Sequence, residues 1–140
     1  MQAYAQMIKR SGLKATFQRM TILSVIDNFG HISIDEIYEE VKKTHPTLSL
    51  ATVYKNILNM VSHNVLTEVP IAGKKSKYEI KKGDHIHLIC TNCNAVIDLK
   101  SDLPVQSTCE DLASREGFTV ATTQINIYGI CSNCSAQEAS

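Results

Sequence analysis

The chain has 140 residues, of which 44% are hydrophobic and 20% charged, with six glycines and three prolines. This composition is typical of one ordinary domain or two small ones, and it excludes a disordered, collagen-like or linker-like chain. No apolar run approaches the roughly 18 residues that span a bilayer, and no apolar segment follows Lys9 and Arg10 as in a secretion signal. We therefore expect a cytoplasmic protein without membrane association, whose five cysteines are ligands or thiols rather than disulfides.

The net charge of zero conceals a division between the two halves of the chain. Up to Lys82, twelve Lys and Arg stand against seven Asp and Glu, a net charge of +5. From Gly83 onward, two basic residues stand against seven acidic ones, a net charge of −5. A basic half suits a polyanionic partner, although uneven surface charge without function is the alternative. We predict two domains, residues 1–82 and 83–140.

The first half of the chain begins with two predicted helices. Residues 16–29 carry an apolar pattern without Gly or Pro inside it, and Gly30 supplies a stop signal. Ser33 with Glu36 three residues later predicts a capping box at the start of the second helix. Pro46 is expected to end that helix.

A third helix and a hairpin complete the pattern of the first half. Ser49 is the predicted N-cap of the third helix, and residues 65–71 and 77–80 are predicted strands around a Gly-Lys-Lys tip. Three helices and a basic hairpin indicate a winged helix-turn-helix, in which the third helix enters the major groove and the hairpin lies beside phosphates. A merely solvated helix face is the alternative. The residues expected to contact DNA are Ser49, Thr52, Tyr54, Lys55 and Asn56 on the helix, and Lys74 and Lys75 on the hairpin.

The second half changes to a mixed pattern. Residues 85–90 and 95–99 are predicted strands, residues 105–116 a helix, and residues 118–128 a β-rich run. The whole chain is therefore predicted to be α+β. Because about 55 residues form a marginal independent core, we expect a metal or a partner subunit to stabilise this half.

Four of the five cysteines form two C-x2-C pairs, Cys90 with Cys93 and Cys131 with Cys134. Two such pairs in a small intracellular chain indicate a zinc site, and four thiolates leave no open position, so the zinc is expected to be structural. A thiol redox pair and a rubredoxin-like iron site are the alternatives. Cys109, in the predicted helix, is expected to be a buried inert thiol.

The segment His85-Ile-His87 indicates a second site. Residues two apart on a strand share a face, so both imidazoles point the same way, whereas Cys90 has the opposite parity to His87. Asp98 on the next strand and Glu79 at the end of the hairpin can each add a carboxylate. Nitrogen and oxygen donors without thiolate suit Fe(II), Mn(II) or Zn(II), while two surface histidines are the alternative.

Three segments together resemble the ferric uptake regulator (Fur) family: LKATFQR at residues 13–19, SLATVYKN at residues 49–56, and HIHLICTNC at residues 85–93 with the closing Cys131-x-x-Cys134. The resemblance covers nearly the whole chain. It implies a homodimeric, metal-dependent transcriptional repressor and not an enzyme, with an N-terminal winged-helix domain, a hinge and a C-terminal α/β dimerisation domain. It also implies double-stranded DNA with a palindromic operator as partner, and it adds Arg19 to the DNA-binding residues.

The resemblance further implies two kinds of metal ion, Zn(II) on the four cysteines and a regulatory Fe(II) or Mn(II). The regulatory ligands carried over from the family are His31, Glu79, His85, His87 and Asp98. Ligands drawn from both sides of a hinge make metal binding favour one relative orientation of the domains. If that orientation spaces two recognition helices for the operator, metal affinity and DNA affinity are linked reciprocally.

Within the family, this chain resembles the peroxide-responsive branch. Iron-sensing members commonly carry a further metal site where this chain has Ile86, Val105 and Thr123, so that site is expected to be absent. In the peroxide-responsive branch, the resemblance implies that Fe(II) reacts with hydrogen peroxide and adds oxygen to a ligating histidine, with His31 and His85 at the matching positions.

One residue departs from the peroxide-responsive pattern. Glu79 stands where those members typically have Asp, and Glu at this position is shared with iron sensors. The alternative is therefore an iron-responsive repressor, and after it a zinc or nickel sensor. A thiol redox enzyme and a zinc-ribbon RNA-binding module are the hypotheses from other classes, but neither explains the histidines together with the winged-helix pattern.

Overall fold

A computed structural model describes residues 2–81, 86–99, 104–121 and 123–138 of the chain. The chain divides into two compact units, Met1–Lys81 and Lys82–Ser140, where the sequence predicted a boundary after residue 82. Helices accompany a three-stranded sheet in each unit, as expected for the α+β class. Within the described ranges, every helix is too short or too polar to cross a membrane.

The first unit contains four helices and a small sheet. In chain order they are α1 (Gln2–Arg10), α2 (Phe17–Phe29), β1 (Ile32–Ser33), α3 (Ile34–Val41), α4 (Leu50–Ser62), β2 (Leu66–Val69) and β3 (Lys77–Ile80). The sheet is antiparallel in the order β1-β3-β2. This arrangement confirms the predicted winged helix-turn-helix, whose wing is the β2–β3 hairpin, while α1 and β1 were not predicted.

Side-chain caps define the helix starts in this unit. The Thr16 hydroxyl accepts a hydrogen bond from the Arg19 backbone N–H at 3.2 Å, so α2 begins at Phe17. The Ser33 hydroxyl accepts from the Glu36 N–H at 3.4 Å and donates to the Glu36 carboxylate at 2.8 Å. Both predicted caps at Ser33 and Ser49 are confirmed.

Two elements are shorter than predicted, each for a local reason. The second predicted helix, which is α3 in the structure, ends at Val41 instead of continuing to Pro46, because the chain turns there and the His45 N–H donates to the Val41 carbonyl at 2.9 Å. Strand β2 ends at Val69 because Pro70 has no N–H to donate to the sheet.

The core of the first unit is formed by apolar side chains from all four helices and the sheet. Ile8, Ile22, Ile26, Ile37 and Ile57 are fully buried in it, and Ile8 anchors α1. Packing of α2, α3 and α4 around one core fixes the direction of α4, the helix that the sequence assigned to DNA.

The second unit is built around one central strand. Its elements are β4 (Ile86–Cys90), β5 (Val96–Leu99), α5 (Val105–Ser114), β6 (Ile125–Gly129) and α6 (Ser132–Glu138), and the strand order is β5-β4-β6. Strand β5 is antiparallel to β4, and β6 is parallel to it. The helix α6 was not predicted.

Two predictions for this unit were too long. Within the β-rich run expected at residues 118–128, the described residues form a strand only from Ile125, and the five residues of β6 pair with the five residues of β4. Helix α5 ends at Ser114, where Gly117 adopts a φ of +71° and the Phe118 N–H donates to the Ala113 carbonyl at 3.1 Å. A glycine at positive φ is a common helix terminator.

The two faces of the second sheet differ in chemistry because side chains alternate along each strand. His87 of β4 is in register with Asp98 of β5 and with Asn126 of β6, which makes a polar row on one face. The opposite face carries two apolar rows, Leu99, Ile86 and Ile125 in one and Ile97, Leu88 and Ile127 in the other. Ile97, Leu99 and Ile127 are between 43% and 51% exposed.

The Ser49 cap generates a prediction about stability. Its hydroxyl accepts from the Thr52 N–H at 3.1 Å and satisfies a donor at the start of α4. Ser49→Ala should lower the free energy of unfolding by about 1 kcal/mol, whereas Ser49→Asp should retain most of it. Urea unfolding followed by circular dichroism measures the difference.

The matched control is Ser62→Ala at the other end of the same helix. Ser62 is also exposed, but its hydroxyl donates to the Asn59 carbonyl and caps no orphan N–H. Equal losses of stability in Ser49→Ala and Ser62→Ala would contradict the assignment of Ser49 as a cap.

Candidate functional site

Four cysteine side chains converge in the second unit. Cys90 ends β4, Cys93 lies in the following turn, Cys131 follows β6, and Cys134 lies in α6. The Sγ atoms all lie within 4.8 Å of one another, with Cys90 and Cys134 3.8 Å apart and Cys93 and Cys131 3.7 Å apart. A tetrahedral zinc with Zn–S bonds of about 2.3 Å separates its sulfurs by about 3.8 Å. The cluster therefore fits structural zinc.

Hydrogen bonds and burial shift the pKa values of two thiols of this cluster in opposite directions. The backbone N–H groups of Cys93 and Cys131 point at the Cys90 sulfur, at 3.5 and 3.4 Å, and lower the pKa of Cys90 to about 6. The Asn92 amide donates to the Cys134 sulfur at 3.3 Å and lowers its pKa, but the neighbouring thiols and burial outweigh it and raise the pKa of Cys134 to about 12. A divalent cation would deprotonate all four thiols.

The fifth cysteine takes no part in this cluster. Cys109 lies in α5 and is partly exposed, so the predicted burial of its thiol is only partial.

A histidine and a carboxylate pair within the first unit. Gly30, at a φ of +81°, ends α2 and directs the chain into β1. Because Ile32 is in register with Tyr78 of β3, His31 is brought opposite Glu79. The His31 Nε2 and Glu79 Oε2 atoms are 2.7 Å apart, and Glu79 is only 2% exposed. The strand register thus explains how two residues 48 positions apart meet.

A second histidine and carboxylate pair within the second unit. The β4–β5 register places His87 opposite Asp98, with Nε2 and Oδ1 3.6 Å apart. The parallel β4–β6 register places Asn126 on the other side of His87, with Nδ1 and Oδ1 3.0 Å apart. His87 is 2% exposed. The sequence predicted His87 and Asp98 but missed Asn126, and His85 lies outside the described residues.

Each pair offers an imidazole nitrogen and a carboxylate oxygen, without sulfur. That donor set suits Fe(II) or Mn(II) better than Cu(I). Glu79 and His87 are both buried. Because buried charged and polar groups need partners that compensate for lost hydration, this burial favours a functional role for the two residues over a role as surface residues.

The predicted DNA-contacting residues of α4 fall into two groups. Ser49, Tyr54 and Lys55 are exposed at the start of the helix, with Tyr54 50% exposed, and Thr52 is partly exposed. The N-terminal turn of α4 therefore presents hydroxyl, phenol and ammonium groups to solvent. Such groups can reach base edges or phosphates.

Asn56 differs from these residues because it is 9% exposed and its amide is engaged inside the protein. Its Nδ2 donates to the Thr52 carbonyl at 3.0 Å, and its Oδ1 accepts from Arg19 Nε at 3.1 Å. The Arg19 Nη1 in turn donates to the Lys14 carbonyl at 2.8 Å. The structure thus places Asn56 behind Arg19, in a position to orient the guanidinium.

The two wing lysines have different surroundings. Lys74 is exposed in the turn that follows Gly73, which adopts a φ of +71°. Lys75 is also exposed, but its ammonium is paired with the Asp35 carboxylate of α3. Lys75 and Asp35 border a groove of about 380 Å³ beside Leu50 and Tyr54 of α4.

The cysteine cluster generates a prediction about zinc content. Cys93 is exposed, so Cys93→Ser removes a ligand without leaving a core cavity. We expect the variant to lose most of its zinc, to unfold at a lower temperature, and to become sensitive to proteolysis in the second unit, because metal binding stabilises the fold that carries the ligands. Atomic emission, thermal unfolding and limited proteolysis measure these three effects.

Cys109→Ser provides the matched control, since it makes the same chemical change outside the cluster. It should keep about one zinc per chain and the thermal stability of the parent protein. Full zinc content in Cys93→Ser would overturn the assignment of the site.

Comparison with known proteins identifies the family. The sequence profile described as "Ferric uptake regulator family" matches residues 10–128. The Peroxide operon regulator of Bacillus subtilis is 32% identical over 133 residues, which cover 94% of this chain and 90% of that protein. The Ferric uptake regulation protein of Bordetella parapertussis is 34% identical over 130 residues, covering 91% and 93%.

A solved structure agrees with these sequence relatives. The peroxide stress regulator of Campylobacter jejuni is 36% identical, with a TM-score of 0.76, over 92% of this chain and 97% of that one. Since the profile and these relatives span nearly the whole sequence, the chain belongs to the ferric uptake regulator family of metal-dependent transcription regulators.

Proposed function

We propose that this chain is a homodimeric repressor that binds an operator in a metal-dependent manner and releases it when hydrogen peroxide oxidises a regulatory histidine. The observation that carries the proposal is the pair of histidine–carboxylate contacts, His31 with Glu79 in the first unit and His87 with Asp98 in the second. A sensor whose metal holds its two units in one orientation requires ligands in both of them.

The regulatory site in this proposal consists of His31, Glu79, His85, His87 and Asp98. Four of these residues form the two described pairs, and His85 is included from the family resemblance. Fe(II) and Mn(II) are the proposed occupants because the donors are imidazole nitrogens and carboxylate oxygens. The four cysteines are assigned to Zn(II), which four thiolates hold without an open position.

Peroxide sensing depends on the difference between these two regulatory metals. When bound, Fe(II) would catalyse oxygen transfer from hydrogen peroxide to a ligating imidazole, which gains one oxygen atom and loses two electrons while the peroxide is reduced to water. His31 and His85 are the proposed targets. An oxidised imidazole is a weaker ligand, so the metal no longer favours the DNA-binding orientation of the units. With Mn(II) the repressor should be largely insensitive to peroxide.

An iron-responsive repressor is the second candidate, and Glu79 is the observation that favours it. The extra methylene of Glu relative to Asp extends the carboxylate toward His31, to which it approaches within 2.7 Å. Relatives with either name, Peroxide operon regulator and Ferric uptake regulation protein, match this chain at similar identity. Zinc and nickel sensing follow at lower priority.

The proposed DNA interface is the exposed start of α4 together with the wing. Tyr54 and Lys55 can reach base edges and phosphates from the major groove, and Lys74 can contact a phosphate beside it. Arg19 is assigned to a phosphate, since Nε and Nη1 are held by the protein and three N–H groups of the guanidinium remain for a ligand.

The proposed dimer interface is the apolar face of the second sheet. Its six side chains, Ile86, Leu88, Ile97, Leu99, Ile125 and Ile127, are all aliphatic and at least partly exposed. Contiguous apolar surface of this kind marks protein interfaces. A second copy of the chain, joined through this face, would present two α4 helices to the two halves of a palindrome.

The proposed function is tested by loading the protein anaerobically with Fe(II) or Mn(II) and adding a brief pulse of dilute hydrogen peroxide. We expect a gain of one oxygen on His31 or His85, only with Fe(II), together with loss of operator binding. Peptide mass analysis and fluorescence anisotropy of labelled operator DNA measure the two effects. Glu79→Asp should react at least as fast as the parent protein.

His45 and His63 are internal controls, because both lie outside the proposed site and should remain unmodified. Unmodified His31 and His85, with operator binding retained after the pulse and dependent on Fe(II), would reject peroxide sensing in favour of iron sensing. If operator binding depends on neither Fe(II) nor Mn(II), the proposal as a whole is rejected.

The hydrogen bond between Asn56 and Arg19 generates a second prediction. Arg19→Ala should weaken operator binding about tenfold and reduce the slope of log K against log salt by about 0.9, as for one lost phosphate contact. Asn56→Ala should reproduce part of that loss because the guanidinium is no longer held. The double variant should bind no more weakly than Arg19→Ala alone, because the two residues act as one unit.

Asn59→Ala, on the same helix, is the control and should bind like the parent protein. Additive losses in the double variant would show that Asn56 contacts DNA independently of Arg19, as the sequence predicted.

A further inference from the structure

His87 lies between two oxygen-bearing side chains in a row that crosses three strands. Its Nδ1 atom is 3.0 Å from Asn126 Oδ1 on one side, and its Nε2 atom is 3.6 Å from Asp98 Oδ1 on the other. The register of β4 with both neighbours fixes the row, and His87 is almost completely buried. The imidazole ring therefore has little freedom to rotate and interchange the positions of Nδ1 and Nε2.

The distances from His87 to Asn126 and to Asp98 indicate different interactions. A separation of 3.0 Å is that of a hydrogen bond, and an amide oxygen only accepts, so Nδ1 must carry the proton in this arrangement. A separation of 3.6 Å exceeds the usual range for an N–H···O bond, but it allows both atoms to bind the same cation. A neutral imidazole protonated on Nδ1 has its lone pair on Nε2, which is the nitrogen that faces Asp98.

We propose that Asn126 is a positioning residue that holds His87 in the Nδ1–H tautomer and so presents Nε2, together with the Asp98 carboxylate, to a divalent first-row cation. The inference rests on the proposed regulatory site for its ligand, but the tautomer is a property of the protein before that metal binds. Histidine ligands commonly donate their second N–H to an oxygen acceptor, which fixes the ring and raises its basicity.

The opposite orientation of the Asn126 amide defines the competing arrangement. Its Nδ2 would then donate to Nδ1 of His87, and Nε2 would carry the proton and face Asp98. In that arrangement, metal binding would require the proton to move from Nε2 and the amide to rotate. The two arrangements predict different protonated nitrogens and can therefore be distinguished by experiment.

The first measurement uses the full-length, zinc-loaded protein without regulatory metal, labelled with ¹⁵N. Long-range ¹H–¹⁵N spectra at a pH where histidines are neutral report which ring nitrogen of His87 carries the proton, and His87→Gln assigns its signals. We expect protonation on Nδ1. Asn126→Val should abolish the fixed tautomer, whereas Asn126→Asp, which can only accept, should preserve it.

The second measurement is the affinity for Mn(II) alone, determined by calorimetry on the same proteins. Asn126→Val should weaken binding about 10- to 100-fold, and Asn126→Asp should restore it. Tyr128→Phe is the matched control, since Tyr128 lies on the same face of β6 but is in register with Ile89 rather than His87. It should retain the parent tautomer and affinity.

Protonation of His87 on Nε2 in the parent protein would overturn the inference, as would an unchanged tautomer or an unchanged Mn(II) affinity in Asn126→Val. Failure of the proposed function has a separate signature. If His87→Ala and Asp98→Ala both bind Mn(II) as tightly as the parent, then the regulatory site is wrong, whichever tautomer the spectra show.

Discussion

The convergence of four thiols at one end of a three-stranded sheet is the constraint on which the second unit depends. Cys90 ends the central strand and Cys131 follows its parallel neighbour, so a cation bound by the four thiols would connect the two strands at the end where Cys90 is in register with Gly129. This unit is small, and few apolar side chains are buried among its described residues. Metal–thiolate bonds at this cluster would therefore supply stability that such a core cannot. The same sheet carries His87, Asp98 and Asn126.

Strand register determines both histidine–carboxylate pairs. In the first unit the antiparallel β1–β3 pair brings His31 to Glu79, and in the second the β4–β5 pair brings His87 to Asp98. Each pair is thus positioned by backbone hydrogen bonds rather than by a flexible loop. Rigid elements hold metal donors closely enough for the protein to favour particular cations and geometries.

Local chemistry explains what could be predicted from the sequence. The caps at Ser33 and Ser49, the stop at Gly30 and the two C-x2-C pairs involve residues near one another along the chain, and the structure has the caps and the stop where they were predicted. The alternation of side chains along a strand also predicted that His85 and His87 share a face, and the position of Asp98 on the next predicted strand made it a candidate ligand.

Features set by distant contacts could not be predicted. Asn126 meets His87 through a parallel register across 39 residues, which no local pattern encodes. Asn56 has the side-chain chemistry and helix position of a DNA-contacting residue. In the structure, however, its amide oxygen accepts a hydrogen bond from Arg19 of α2. In each case tertiary pairing overrode the local signal.

Side chains alternate along the strands of the second sheet, so its polar face and its aliphatic face depend on the same strand register. The polar row of His87, Asp98 and Asn126 and the aliphatic rows beside it belong to the same strands, on opposite faces. A slip of β5 by one residue would turn Asp98 toward the aliphatic face and Ile97 or Leu99 toward the histidine. A misregistered chain would therefore lose the proposed ligand geometry and the proposed dimer interface together, and such a chain would not join a correctly folded copy in a dimer.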